Sequence, residues 1–454
     1  MDTAPKTPGQ LVDHVRSRLL ALAPEAGAGF YVVAVSGGAD SSALAIALAR
    51  GWGAEAGRRL ALAHVAHGWH DAETARRERN AVNVLAHELR LPVAHPPAPW
   101  HGPALRQTED AARRWRYATL ERFACRLGAR FVLTGHHQRD QAETVCLRAQ
   151  RGSGRAGLAG IPPRRALGTH GVEVLRPLLD VDPGVLRELL TAESLPWFTD
   201  PANFVLHHDR ARLRHARGTS PGTDARIAAF AARQRTRMAA RERAAVERLG
   251  SALRLHPLAS AVEVERAAWP SLSGPLAEAA WRRMGRAIGA DLDGPWLTRA
   301  HVERLQDAMA RGGGVSLPRG VRLHARGPRA WLWRRSTGPS RAWLSTWRGP
   351  SGGERVETGA QATARIDARR AGPRPVLRRV QAGDRFRPAG REPDREVDVI
   401  AWMKRRGIPA FVRAQQHVVE ANGEIAWVVG LRVDRRYLVA DDADDVWHLR
   451  VGRA

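Results

Sequence analysis

The apolar positions of the chain change rhythm several times, and the first change is the sharpest. Tyr31-Val-Val-Ala-Val35 is unbroken apolar sequence and runs into Ser36-Gly37-Gly38-Ala39-Asp40-Ser41-Ser42. A second apolar run, Ala43 to Ala49, follows at once. A short continuous run bounded by glycines predicts a buried parallel strand, and the longer run behind it a helix. The same alternation continues downstream. Strands are expected at Leu60–Val65, Pro92–His95 (short) and Phe131–Thr134, and a leading helix at 9–22, with Leu11, Val15, Leu19 and Leu22 on one stripe. Further helices are expected over 72–90, with Ala75, Val82, Leu85 and Leu89 inward, and over 107–127, 139–150 and 183–195. Strands alternating with helices predict an α/β fold with a doubly wound, mainly parallel sheet.

Beyond 207 the pattern turns basic and helical: 207–248 holds eleven Arg against four Asp and Glu in an Ala-rich background. A helical part (275–312) then gives way to Gly-rich, β-like sequence between Gly314 and Trp333. Residues 346–374, rich in Gly, Pro, Ser, Arg and Thr, read as a linker. The tail offers strands at 425–430 and 436–439. The expected domains are therefore 1–218 (α/β), 219–345 (mostly helical) and 375–454 (small α+β), with 346–374 between the last two.

Composition adds a partner. The 454 residues carry a net charge of +26, and Lys occurs only at 6 and 404, so the cations are nearly all Arg. High-GC coding exchanges Lys for Arg but does not create an excess over Asp and Glu. A nucleic acid is the natural polyanion. No apolar run is long enough to span a membrane, and no basic-then-apolar leader opens the chain. Cys125 and Cys146 suggest neither a disulfide framework nor a zinc site. A cytoplasmic protein without membrane contact is expected.

The glycine turn after the first strand suits a phosphate chain, since free backbone N–H groups gather at the start of a helix. Gly37 and Gly38 allow close approach or positive φ. Asp40 would repel phosphate unless Mg²⁺ bridges the two. The turn is neither GxxxxGK[ST] nor GxGxxG. In doubly wound sheets ligands sit beyond the carboxyl ends of the strands. The Ser36 loop, His64–Gly68 and Gly135–His137 all fall there and are expected to share one crevice. His64 and its neighbours could hold adenine, or simply flank a turn. Glu109, Arg113, Arg116 and Tyr117 share a helix face, either as a solvated face or with an Arg that steadies phosphate charge. Asp140 and Glu143 lie one turn apart on a helix that starts at the crevice. They could hold Mg²⁺, a substrate ammonium, or both, or merely cap the helix. Arg151-Gly-Ser-Gly-Arg155 and Arg210-Ala-Arg212-Leu-Arg214 are basic segments suited to nucleic acid.

The SGGxDS loop resembles the pyrophosphate loop of the ATP pyrophosphatase superfamily. With HVxHG (64–68), ExxARxxRY (109–117), TGHHxxDxxET (134–144), RGSGxxGL (151–158), RPLL (176–179) and DxxN (200–203), the chain resembles the tRNA(Ile)-lysidine synthetase family. The tail matches through Gly383-Asp384-Arg385-Phe386, Arg406-Gly-Ile-Pro409, Arg413 and Trp427–Arg432. Two departures stand out. The family's RNxxR has Ala211 in place of Asn, and Arg391, Arg395 and Lys404–Arg406 replace a Lys-rich stretch. The resemblance implies that ATP adenylates the wobble cytidine of a CAU-anticodon tRNA(Ile) and that L-lysine displaces AMP. Ser36, Gly37, Gly38, Ala39, Asp40, Ser41 and Ser42 would hold the nucleotide, with His64, Gly135 and His136 beside it and Asp40 on Mg²⁺. Arg113 would stabilise the transition state. Asp140 and Glu143 would place lysine. Arg151, Arg155, Arg210, Arg212 and Arg214 would grip tRNA, and the C-terminal module would check its acceptor end. The reading allows a homodimer. Its alternatives are a 2-thiocytidine-type tRNA thiolase, which the cysteines disfavour, and a non-catalytic tRNA-binding relative.

Overall fold

The computed structural model describes residues 4–26, 29–66, 72–96, 109–152, 154, 156–167, 171–199, 212–213, 221–256, 260–290, 297–334, 342–349, 362–390, 394–440 and 443–453. The chain divides into two compact units, 1–239 and 240–454.

The first unit is built on a six-stranded sheet of order β3-β2-β1-β4-β6-β5. Its strands are β1 Tyr31–Ala34, β2 Leu60–Ala63, β3 Val93–Ala94, β4 Phe131–Thr134, β5 Arg164–Leu167 and β6 Val172–Leu175. All pair in parallel except β5, which returns antiparallel on β6. Helices α1 Pro8–Leu22, α2 Ala39–Trp52, α4 Ala72–Glu88 and α7 Pro183–Ala192 bury one face; α3 (Ala56–Arg59) is a single turn before β2. Helix α5, Glu109–Arg126, covers the other face through Leu120 and Ala124, against Val32, Val132 and Val174. Near-continuous Val, Leu and Ala in β1, β2 and β4 reflects burial on both sides. From β1 the chain winds outward through β2 and β3, then returns to place β4 on the other flank of β1. That reversal is the switch point at which ligands bind in such sheets. The pairs Ala34↔Ala63 and Ala34↔Thr134 bring the three central strands to an end at one level. The loops that follow them therefore start side by side. Helix α6, Gln138–Gln150, follows β4, and α8, Pro221–Leu249, leaves the unit.

In the second unit a five-stranded antiparallel sheet, β7-β8-β11-β10-β9, packs on α9 (Pro275–Ala287) and α10 (Arg299–Arg311). Its strands are β7 Leu253–His256, β8 Ala261–Glu265, β9 Gly313–Ser316, β10 Val321–Arg326 and β11 Arg329–Arg334. The middle region thus carries the expected helices, and its β content extends back to residue 253. The stretch read as a linker differs from expectation. Strands β12 (Ala342–Gly349) and β13 (Ala362–Asp367) reach into it from both sides and flank β20 (Val446–Arg453). Each edge of β20 gains a ladder of backbone hydrogen bonds this way, which composition did not reveal. Residues 350–361 of that stretch lie outside the described residues.

Strands β14 (Val376–Arg379), β15 (Arg385–Phe386), β16 (Val397–Asp398), β17 (His417–Ala421), β18 (Glu424–Val428) and β19 (Arg432–Val433) complete the tail, with helical turns α11 Ala368–Ala371, α12 Val399–Arg405 and α13 Ala410–Arg413. The strand expected at 436–439 is instead a 3-10 turn, Arg435–Tyr437. Fully buried Asp434 causes it by accepting from the Arg436 amide and from the Arg436 guanidinium. Trp331 and Ala261 of the antiparallel sheet share a core with Phe386, Val399 and Trp402. No helix among the described residues is long and apolar enough to cross a membrane.

Candidate active site

Residues 35–42 form a tight cradle whose shape comes from its own side chains. The Ser41 hydroxyl accepts from the Ser36 amide (3.1 Å) and donates to the Gly38 carbonyl (3.1 Å). Ser36 Oγ lies 3.3 Å from Ser41 Oγ. Gly38 caps α2 without a side-chain bond, so the first amides of α2 keep their donors for a ligand. Gly37 has φ +78°, and a Cβ there would sit 3.0 Å from the Glu78 carbonyl of α4. Glycine is needed on both counts. The Gly37 carbonyl accepts from the Phe198 amide at 2.9 Å, tying the loop to the segment after α7. Ser41 and Ser42 are buried. Backbone amides and Ser36 therefore face outward more than those two hydroxyls.

Asp40 stands at the start of α2 with 42% of its side chain exposed. Gly135, directly after β4, lies against it: a Cβ on Gly135 would be 2.9 Å from the Asp40 carbonyl carbon and oxygen and the Ser41 amide nitrogen. The phosphate loop and the β4–α6 loop thus meet as backbone on backbone. His136 Nδ1 lies 2.9 Å from Thr134 Oγ1. At the other flank, buried His64 has Nδ1 3.1 Å from the Val35 carbonyl, and burial holds its ring down to about 4, so it is neutral at physiological pH.

His137 is the residue that sequence reasoning left without a role. It caps α6, with its Nδ1 3.2 Å from the Arg139 amide, while Asp140 Oδ2 accepts from the His137 amide at 3.0 Å. Its Nε2 lies 3.3 Å from Asp40 and 3.7 Å from Asp140. Glu143 adds its charge from one turn further on; it is only 1% exposed, so Asp140 is the more open of the two carboxylates. Burial by itself would lower the imidazole, but Asp140, Asp40 and Glu143 outweigh it and push the ring up to about 9. Protonation forfeits the bond from the Arg139 amide, and three carboxylates outweigh that one contact. The three carboxylates thus favour protonation of His137 between the phosphate loop and α6. The sign follows for metal-free protein. A histidine raised on folding adds stability below its unfolded value near 6.5, and that stability is lost as pH rises through about 9. The thermal midpoint of metal-free protein should fall across this window, and His137→Gln should flatten the fall. An unchanged slope would show that the ring is neutral.

Residues 11–218 match the family model of the PP-loop domain, and 376–451 that of the TilS substrate C-terminal domain. The tRNA(Ile)-lysidine synthase of Ralstonia nicotianae is 31% identical over a 482-residue alignment that covers 97% of this chain and 96% of the relative. The chain belongs to the tRNA(Ile)-lysidine synthase family. The enzyme of that name from Salinispora arenicola is 42% identical over 205 residues (43% of this chain, 57% of the relative). The one from Symbiobacterium thermophilum is 41% identical over 188 residues (40% and 38%).

Within this lysidine synthase family fold, the structure brings Ser36–Ser42, Gly135, His137, Asp140 and Glu143 together. Arg113 is half-buried on α5, with its Nη2 donating to Tyr117 Oη at 3.2 Å. Arg151 ends α6 and is exposed, as is Arg212. Arg155, Arg210 and Arg214 lie outside the described residues, as do the side chain of Glu109 and residue 211. Arg148 holds the loop behind Arg151 through the Gly157 and Gly160 carbonyls. Cys125 and Cys146 are both free thiols. Among the described residues no group of three or more His, Cys, Asp and Glu could hold a metal ion by itself. Asp40, exposed beside the amides of α2, is the carboxylate placed to share a metal ion with a bound phosphate.

Proposed function

We propose that this chain joins L-lysine to the wobble cytidine of a CAU-anticodon tRNA(Ile), cleaving ATP to AMP and pyrophosphate. One observation carries the reading: the phosphate loop and the carboxylates of α6 meet across Gly135 and His137, so a nucleotide site and an ammonium site adjoin. The amides of α2 and Ser36 hold the phosphates, with His64 and His136 at the flanks. The cytidine carbonyl oxygen attacks the α-phosphorus, pyrophosphate departs, and Arg113 offsets the charge that builds up. Asp40 would hold Mg²⁺, which supplies charge neutralisation for the departing phosphates. Asp140 and Glu143 bind the lysine ammonium, and either accepts a proton as the amine attacks the activated ring carbon and AMP leaves. The base must leave its stack, at small cost in an anticodon loop.

Residues 1–218 form the catalytic domain in this reading, and 219–345 and 375–454 bind tRNA. Arg151, Arg155, Arg210, Arg212 and Arg214 contact its backbone. The tRNA substrate places the reaction in the cytoplasm.

Incubation with a tRNA(Ile) CAU transcript, ATP, Mg²⁺ and labelled lysine should incorporate label in step with AMP release. AMP release without incorporation would remove lysine from the reading. Glu143→Gln should raise the lysine KM by about tenfold, as expected for loss of one charge-assisted contact, while the ATP KM stays put. A rise in the ATP KM alone would reassign the residue to the nucleotide.

A further inference from the structure

A second group of cations lies at the same edge of the sheet, beyond β4. Arg176 directly follows β6, and its amide donates to the Pro163 carbonyl (2.8 Å); Arg165 faces Val174 across the β5–β6 pair. Both meet Tyr117 of α5. The Arg113 and Arg165 guanidinium carbons lie 5.1 and 5.2 Å from the centre of the Tyr117 ring. The Tyr117 hydroxyl oxygen accepts from Arg113 Nη2 and from Arg176 Nη2, each at 3.2 Å. Arg176 is 1% exposed and fixed by its Nη1 on the Pro162 carbonyl (2.8 Å). The buried Nε atoms of Arg165 and Arg176 have no hydrogen-bond acceptor among the described residues.

Three guanidiniums therefore converge on one phenol, and among the described side chains no carboxylate forms an ion pair with any of them. Burying cations without an anion is costly. The strain shows in the groups themselves. Burial and the neighbouring arginines hold Arg165 and Arg176 below their ordinary range. Burial would raise Tyr117, yet Arg176, Arg113 and Arg165 bring it down to about 8. At neutral pH the phenol still carries most of its proton, so among the described side chains nothing supplies the cluster with a counter-charge. Arg113 and Arg165 are only half-buried and can meet one from outside.

We propose that Arg113 and Arg165, stacked on Tyr117 and backed by Arg176, form a binding site for a phosphate group supplied by the nucleotide or by the tRNA backbone. A pair of forked donors matches phosphate oxygens, and both substrates in the proposed function carry phosphate. The site extends the role given to Arg113 above, and only its nucleotide source rests on that reading.

The test reads binding without turnover, using Arg165→Gln and Tyr117→Phe in the full chain, with Arg187→Gln on the exposed face of α7 as control. One arm titrates α,β-methylene ATP with Mg²⁺. The other titrates the tRNA transcript over a salt series. For a nucleotide phosphate, Arg165→Gln raises the Kd for the ATP analogue about tenfold and leaves tRNA unchanged. For a backbone phosphate, tRNA weakens and its salt slope falls by about 1, with the analogue unchanged; Arg113 then loses its adenylation role while the site stands. Tyr117→Phe, which keeps the ring beneath both guanidiniums, moves the same arm in the same direction by a smaller factor. Arg165→Lys recovers part of the loss. The proposal is overturned if both variants, shown folded by thermal unfolding, match the control in both arms. Should Arg165→Gln not fold, Tyr117→Phe and Arg165→Lys decide by the same criteria.

Discussion

Asp40→Asn should lower AMP formation by about 10³-fold, on the scale of losing a principal electrostatic contact to the transferring phosphate. Binding of tRNA should change by no more than about twofold, as for a surface substitution. Asn keeps the shape of the side chain and the start of α2, and it removes the charge that lets a cation bridge protein and pyrophosphate. Asp40 is 42% exposed at its side chain, so folding does not depend on burying it. The substitution also takes one of three carboxylates from His137, so the pH dependence of thermal unfolding should shift to lower pH. Quench-flow measurement of AMP and filter binding of the tRNA transcript separate the two quantities. Equal loss of both would make Asp40 a structural residue.

Gly135→Ala should be strongly damaging for the addition of a single methyl group. The added Cβ would meet the carbonyl of Asp40 and the amide of Ser41 at 2.9 Å, and backbone cannot swing aside as a long side chain can. The phosphate loop and the β4–α6 loop must then part by a few tenths of an ångström, moving Asp40 away from His137 and Asp140. Misplacement of this kind costs about 10–10² in rate. Overpacking adds about 1–3 kcal/mol of destabilisation. Single-turnover AMP formation at a temperature where the variant is folded distinguishes the two effects. A wild-type rate would mean that the contact between the loops does not set the geometry of the site.

The two rhythms of apolar residues made the first unit legible. Continuous burial in β1, β2 and β4 leaves no polar alternation to mislead, and glycine or histidine follows each strand within three residues. The phosphate loop was equally open to reading, because Gly37 is required by a positive φ that few other residues adopt. His137 stayed hidden for a physical reason. Its role depends on Asp40, far away in sequence, and the TGHH motif alone does not say which histidine turns inward. Arg165 and Arg176 were hidden likewise, since their meeting point on Tyr117 exists only once β5 and β6 pair beside α5. In the second unit, β12, β13 and β20 join segments some hundred residues apart, as their register shows. Glycine and proline in the intervening sequence obscured the two flanking strands.

The central claim is that this chain builds lysidine, and the product nucleoside tests it most directly. The tRNA(Ile) CAU transcript is treated with the protein, ATP, Mg²⁺ and lysine, digested to nucleosides, and analysed by mass spectrometry. The account predicts that the wobble cytidine is converted to a species heavier by one lysine residue, and that a transcript with uridine at that position is untouched. An unmodified wobble cytidine alongside normal tRNA binding, or a sulfur-bearing product in its place, would contradict it.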